Sequence, residues 1–415
     1  MNQPTRQKSP LGVIFLTVFL DMLGIGIIIP VIPALFFETS NDFFAATVGY
    51  DTRSILYGLL IACYPIMQFF GAPVLGSLSD RHGRKPVLSV ALVGTMIGYL
   101  LFGVAILYQN IWLLFFSRML PGFTGGNISI AMSSISDVST PETRTQNFGL
   151  VGAAFGIGFI IGPALGGVLA DSSIISWFDS STPFWFTALL TLINLILVRV
   201  NFDETNHNLT DSKISPWTGI QNIIFSFQTP QLRAIFTVVL LLSLGFTFFT
   251  QFFSVRLIDH FKFTEKDIGL LFGWIGIWIA LTQGGLVRIL SKKVSPFVIL
   301  SIAPLALGLL IASDIIAEEV WMLYIINPLI GVAQGVSTPN LTTVVSEQAD
   351  ARQQGRILGI NQSMQALGQV IPPLVGGYLN TLNRSFPLLA GAILTILAWV
   401  IFVWVFRRKA KSEVN

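Results

Sequence analysis

Apolar residues run along this chain in near-continuous stretches of about twenty, parted by short polar segments. That is the length a helix needs to cross the hydrocarbon of a bilayer. The pattern predicts twelve spans, near 11–35, 55–77, 86–107, 112–134, 147–170 and 184–201, then near 231–254, 267–290, 296–317, 320–343, 356–380 and 386–406. Membrane strands are excluded, because they alternate apolar and polar positions over only about ten residues. The first run is too long for a signal peptide and shows no cleavage site, so it is expected to stay as a membrane anchor.

The chain repeats itself. A shift of 210 places Ser136-Asp137 on Ser346-Glu347, Gly149 on Gly359, Gly158 on Gly368, Pro163 on Pro373 and Gly166-Gly167 on Gly376-Gly377. A shift of 211 lays Gly58-Leu59-Leu60 on Gly269-Leu270-Leu271. Two six-helix halves repeated in parallel form a transporter architecture, with the substrate site between them near the midplane. The chain divides into an N-terminal six-helix bundle (1–201), a cytoplasmic linker (202–230) and a C-terminal six-helix bundle (231–415). In the linker, Asp203, Glu204, Asn206, His207 and Asn208 give way to Trp217, Ile220, Ile224 and Phe227 at helical spacing. That stretch either lies as a helix on the inner membrane surface or is a plain tether.

Composition agrees: the fold class is all-α integral membrane. Charged residues make up 11% of the 415 and hydrophobic residues 53%, so a soluble fold could not cover its apolar surface. A water-exposed enzyme, a disordered scaffold and a disulfide-rich secreted module are excluded. A net charge of +3, scattered along the chain, does not suit nucleic acid. The lone Cys63 permits no intrachain disulfide. With both termini cytoplasmic, five of the 24 Lys and Arg fall in outer segments (Arg53, Arg256, Lys262, Lys266 and Arg384) and Arg118 falls inside a span. The rest are inner, as the positive-inside rule requires.

Span 1 carries Asp21 in Leu20-Asp21-Met22-Leu23-Gly24-Ile25-Gly26. It lies roughly 15 Å from the inner edge at 1.5 Å per residue. A carboxylate there costs at least about 2.5 kcal/mol to insert, so it should face a cavity, a cation or a proton, unless it is a structural buried acid. Arg118 of span 4 comes within reach at a similar depth, as a tuning cation or as a brace to backbone carbonyls. Asp21 is the candidate proton acceptor.

Between spans 2 and 3 stands Gly76-Ser77-Leu78-Ser79-Asp80-Arg81-His82-Gly83-Arg84-Lys85-Pro86. Gly76 permits close packing and Gly83 a tight turn. Asp80 can meet a helix N-terminus, and the basic cluster anchors to the inner surface. In span 5, Gly158, Gly162 and Gly166 recur every four residues beside Pro163 and Gly167, a flat face on a bent helix.

In the second half no charge falls in the middle of a predicted span. Polar amides stand there instead: Gln283, Asn327, Gln334 and Asn361, with Gln362, Gln365 and Gln369 on one stripe of span 11. That stripe lines the cavity or hydrogen-bonds between helices. With Tyr64, Asn127, Trp274 and Trp278 these residues suggest a mixed polar and aromatic substrate chamber. None of His82, His207 or His260 lies within a predicted span, so no metal site or histidine relay is supported.

The loop after span 2 resembles the signature of the major facilitator superfamily. The resemblance implies a cytoplasmic gate latch in which Asp80 braces against the other half and Arg81 pairs with acids such as Asp137. Gly162-Pro163 with Gly166-Gly167 resembles the antiporter motif of that superfamily's drug/proton exchangers. Arg118-Met119-Leu120-Pro121-Gly122 resembles the helix-4 motif whose arginine is tied to proton coupling. Over residues 12–171 the chain is most similar to the tetracycline-exporter type. Two departures stand out: those exporters carry acids within helices 3 and 9, where this chain has Gly98 and Pro304, with Asp314 close to the outer end of helix 9.

The resulting expectation is proton-coupled export of small amphipathic compounds or drugs by alternating access. The alternative is a proton-coupled transporter of a specific metabolite or lipid-linked substrate. An enzyme is not expected, because no nucleophile, acid/base or metal groups cluster at one depth. No cofactor is expected beyond the proton gradient as energy source. The expected partners are a small-molecule substrate, protons and the lipid bilayer, with no nucleic acid and a monomer sufficing. A bacterial inner membrane, crossed many times, is the expected location.

Overall fold

A computed structural model describes residues 11–38, 43–45, 47–140, 144–206, 209, 215–290, 292–347 and 354–412. His207 and Asn208 of the linker lie outside these, as do the ends of both termini on which part of the predicted topology rests. The N-terminal half contains α1 (Leu11–Phe37), α2 (Tyr50–His82), α3 (Arg84–Leu107), α4 (Ile111–Thr124), α5 (Asn127–Val138), α6 (Arg144–Ala170) and α7 (Thr182–Asn201). The linker forms α8 (Thr218–Gln228). The C-terminal half contains α9 (Pro230–Phe261), α10 (Glu265–Leu281), a π-helical turn (Thr282–Leu286), α11 (Val287–Leu290), α12 (Pro296–Leu300), α13 (Ala303–Ile316), α14 (Val320–Glu347), α15 (Gln354–Leu382) and α16 (Phe386–Ser412).

Among the described residues, nine helical segments are long and apolar enough to cross a membrane. The other three predicted spans are α4 with α5, α6 and α15. Three predicted spans prove irregular. Span 4 breaks at Gly125-Gly126 between α4 and α5. Span 8 contains the π turn. Span 9 breaks before Pro304, whose missing N–H cannot close a turn on α12.

Local sequence sets the ends. Asn110 caps α4 by accepting from the Leu113 amide at 3.0 Å. Thr264 and Asp267 cap α10 reciprocally. Gly83, at φ 96°, makes the turn between α2 and α3 that a side chain would strain.

Gly158, Gly162 and Gly166 of α6 face α1. A Cβ on Gly162 would lie 2.7 Å from the Leu23 carbonyl oxygen and 2.8 Å from Gly26 Cα. Only glycines let the two backbones pass this closely.

The halves meet through the repeated residues. A Cβ on Gly58 of α2 would lie 2.3 Å from the Pro373 carbonyl oxygen of α15, and one on Gly269 of α10 would lie 2.3 Å from the Pro163 carbonyl oxygen of α6. The two contacts are equivalent under the internal repeat.

Taking the Arg81–Lys85 turn as cytoplasmic, both contacts lie toward the outer side. One apolar core spans both halves there, with Phe36, Phe37 and Tyr57 against Phe249, Phe252 and Phe253. Nearer the inner ends the cores are separate: one holds Ile14, Val18, Leu75 and Leu88, the other Leu232, Phe236, Val344 and Met364.

Polar contacts complete the outer seal. Tyr50 donates to Asp259 at 2.5 Å, and Asp259 also pairs with Arg384 at 3.4 Å. Asn380 donates to Ser54 at 2.8 Å, and Ser54 donates to the Gly377 carbonyl at 2.9 Å. On the opposite side Asp171 pairs with Lys266 at 3.0 Å, and Ser180 donates to Glu265 at 2.9 Å. The molecule is closed outside, and its inner halves pack separately.

Candidate coupling site and transport path

Asp21 is buried in α1, and its Oδ1 accepts from the Asn127 amide nitrogen at 3.1 Å. The break in span 4 makes this contact possible. A Cβ on Gly126 would lie 2.6 Å from Ala72 Cα and one on Gly125 would lie 2.5 Å from the Tyr64 hydroxyl, so α2 crosses where only glycines fit. Gln68 satisfies the Gly125 carbonyl at 3.2 Å. Asn127 then begins α5 facing α1.

Arg118 does not pair with Asp21, contrary to expectation. Its guanidinium lies over the Tyr64 ring, 4.8 Å from the centroid. Depth alone suggested the pair, but Tyr64 of α2 interacts with both charges and holds the cation by its face. Tyr99 of α3 fills the notch at Gly24, where a Cβ would overlap its hydroxyl. Among the described residues, Asp21 Oδ2, Asn127 Oδ1 and Arg118 Nε have no hydrogen-bond partner.

The turn between α2 and α3 also departs from expectation. The guanidinium of Arg84 reaches Asp137 at 3.0 Å. Arg84 also binds Asp80 at 2.5 Å and Ser79 at 2.6 Å. Asp80 thus pairs one turn along its own loop instead of bracing the other half. The positive-φ turn at Gly83 folds Arg84 back over α2, which brings it between these acids. The acid at the N-terminus of α3 is Glu204 of the linker, accepting from the Arg84 and Lys85 amides at 2.7 and 3.0 Å. Sequence spacing could not reveal it. Gly76 is not forced by packing, since a Cβ there would meet Ser129 Oγ at an ordinary 3.5 Å.

The predicted chamber residues scatter. Asn127 is fully buried against Asp21. Trp274 shares a helix stripe with the exposed Leu270, Ile277 and Leu281 and donates to the Tyr324 carbonyl at 3.3 Å, so it faces lipid rather than a chamber. Asn327 is fully buried and donates to Asp314 at 3.2 Å, inside the C-terminal bundle. Gln334 donates to Thr338 of its own helix at 3.1 Å. Gln283 is exposed in the π turn. Gln362 is exposed and Gln365 half-buried on α15, whose Gly368 packs on α9, where a Cβ would lie 2.3 Å from Ser243 Cβ.

One buried cluster escaped the sequence. Arg256, assigned to an outer segment, sits inside α9 and donates to the carbonyls of Asp314, Ile315 and Ala317 at 3.2, 2.7 and 3.3 Å. The Thr264–Asp267 capping pair was the available signal. It places the interhelical turn at 262–264 and Arg256 well inside the helix.

Relatives share this plan. The chain is 31% identical to tetracycline resistance protein, class H, of Pasteurella multocida over 390 residues, covering 91% of this chain and 90% of that one. It is 27% identical to multidrug resistance protein 2 of Bacillus subtilis (strain 168) over 414 residues, covering 99% and 98%. The crystal structure of the human organic anion transporter MFSD10 superposes with a TM-score of 0.71 at 22% identity, covering 97% of this chain and 100% of that one. The family model described as Major Facilitator Superfamily matches residues 14–313 and 294–415. With its two repeated six-helix halves meeting across paired glycines, the chain belongs to the Major Facilitator Superfamily.

Proposed function

We propose that this chain is a proton-driven exporter of small amphipathic compounds that rocks its two halves about a central path. The observation that carries the reading is Asp21, a carboxylate buried within α1 with one oxygen unpartnered among the described residues. A group in that position is discharged by a proton or by a cationic substrate, and the two compete. Substrate arriving from the inner side displaces the proton. The halves then rock, the outer seal opens and substrate leaves. Asp21 takes a proton from outside and returns it inward on the next half-cycle.

Drug-resistance relatives support export over uptake. Tetracycline itself is not proposed as the substrate. At Gly98 a Cβ would lie 2.5 Å from Pro121 Cδ, so no room exists for an acid there, and Pro304 occupies the helix-9 position. The proton gradient is the energy source in this reading, and one chain in a bacterial inner membrane, with cytoplasmic termini, suffices.

The test is proton release in inside-out vesicles holding a preset pH gradient, with lipophilic cations, neutral drugs and zwitterions added to wild type and Asp21→Asn. Gradient collapse triggered by amphipathic compounds in wild type and absent in the variant is expected. Equal responses would remove Asp21 from coupling. Silence across the panel would turn the assignment toward a specific metabolite or a lipid-linked substrate.

A further inference from the structure

We infer that Asn127 is the positioning residue for proton exchange at Asp21, an amide that can serve both protonation states of the carboxyl by turning over. The inference rests on the proposed coupling role of Asp21. Three observations place the amide in that role. Asn127 is fully buried, and its nitrogen donates to Asp21 at 3.1 Å. The remaining oxygens of the pair, Asn127 Oδ1 and Asp21 Oδ2, are both buried and without a partner among the described residues. Arg118, the residue expected to hold the carboxylate, is instead engaged on the face of Tyr64.

The chemistry follows from what each group can offer. An ionised carboxylate only accepts hydrogen bonds, whereas a carboxylic acid also donates one. A guanidinium only donates, so it cannot accept the proton that the acid offers. An amide carries both functions, and its terminal torsion is broad and roughly two-fold. With its nitrogen toward Asp21, Asn127 stabilises the carboxylate. Turned over, its oxygen accepts the acid proton. The exchange therefore keeps a hydrogen bond between the two side chains in either state, and loss of that bond would otherwise oppose proton transfer.

Around Asp21 the titratable or charged side chains, among the described residues, are Tyr64 of α2, Tyr99 of α3 and Arg118 of α4. None is hydrogen-bonded to the carboxylate, so its hydrogen bonding falls to Asn127 alone.

The experiment measures substrate-triggered proton release as a function of pH in vesicles containing wild type, Asn127→Leu and Asn127→Gln. Leucine is close in size but offers no hydrogen bond, whereas glutamine keeps both functions. A hydrogen bond to a charged group outweighs one to a neutral group by enough to move the transport midpoint about one pH unit. The expected result is a midpoint displaced to higher pH by that amount in Asn127→Leu and nearer wild type in Asn127→Gln. A changed apparent substrate KM with an unmoved midpoint in Asn127→Leu would make Asn127 a substrate contact and overturn the inference. If Asn127→Leu does not insert, Asn127→Ser replaces it, with a smaller shift in the same direction expected and an unmoved midpoint refuting. The underlying reading fails separately, when Asp21→Asn releases protons as wild type does, and the inference then falls with it.

Discussion

The paired glycines that join the halves set the balance between outer-closed and outer-open states, and the substitution Gly58→Ala with Gly269→Ala tests this. The added methyl groups would lie 2.3 Å from the carbonyl oxygens of Pro373 and Pro163, where ordinary contact begins at 3.4 Å. Each helix pair must therefore part by about 1 Å, and overpacking of that kind costs about 1–3 kcal/mol. The strain exists only while the outer ends are closed. It shifts the equilibrium about 5- to 150-fold toward the open state for each substitution. Spin labels at Asp51 and Asn383, both exposed on the outer face of different halves, report the opening by their separation. A second pair at His82 and Lys293 reports the inner side. The outer distance should lengthen and the inner one shorten, more in the double variant than in either single one. Gly156→Ala, where a Cβ meets nothing within 4 Å, is the control. Unchanged distances in the double variant would refute the reasoning, as would an equal change in the control.

Other predictions concern the polar contacts. Arg84→Ala removes the guanidinium shared by Asp80 and Asp137 and should lower unfolding free energy in detergent by about 1–3 kcal/mol, with Arg84→Lys recovering only part because it lacks the planar fork. Glu204→Gln keeps the shape at the N-terminus of α3 but removes the charge, and should cost about 0.3–1 kcal/mol in the same unfolding measurement. The Ser173 hydroxyl, and after it the Lys266 ammonium, hold Asp171 down from 3.8 to about 2. Because its value is depressed, its contribution to outer closure is fully present above the ordinary value and is lost as pH falls through about 2. The outer distance should therefore stay constant between about pH 5 and 8 on account of this pair. A change in that range that Asp171→Asn abolishes would contradict it.

Much of the molecule was legible as a linear pattern. Span length follows from the thickness of the bilayer, and span number from counting apolar runs. The repeat alone marks the residues that join the halves: Gly58 with Gly269, and Pro163-Gly167 with Pro373-Gly377. The turn at Gly83 and the three glycines on α6 were readable because backbone sterics act locally, within a turn or along one helix face.

Side-chain partners were not legible in the same way. Arg84 stands on a basic turn, and the direction in which Gly83 sends the chain brings it to Asp137 and Asp80. Glu204 caps a helix that begins 120 positions earlier in the chain. Asp21 and Arg118 have matching depths, yet depth is one coordinate of three, and Tyr64 stands between them. The amides of the second half were visible as a set, but rotation about each helix axis turned Trp274 to the lipid and Asn327 inward to Asp314. Composition and periodicity act along the chain, and they specified a twelve-span, two-half membrane protein with a buried acid in its first helix. Azimuth, the direction of each helix break, and the present closure of the outer ends arise from packing between distant segments. Those contacts are short-ranged, so they exist only once the helices have come together.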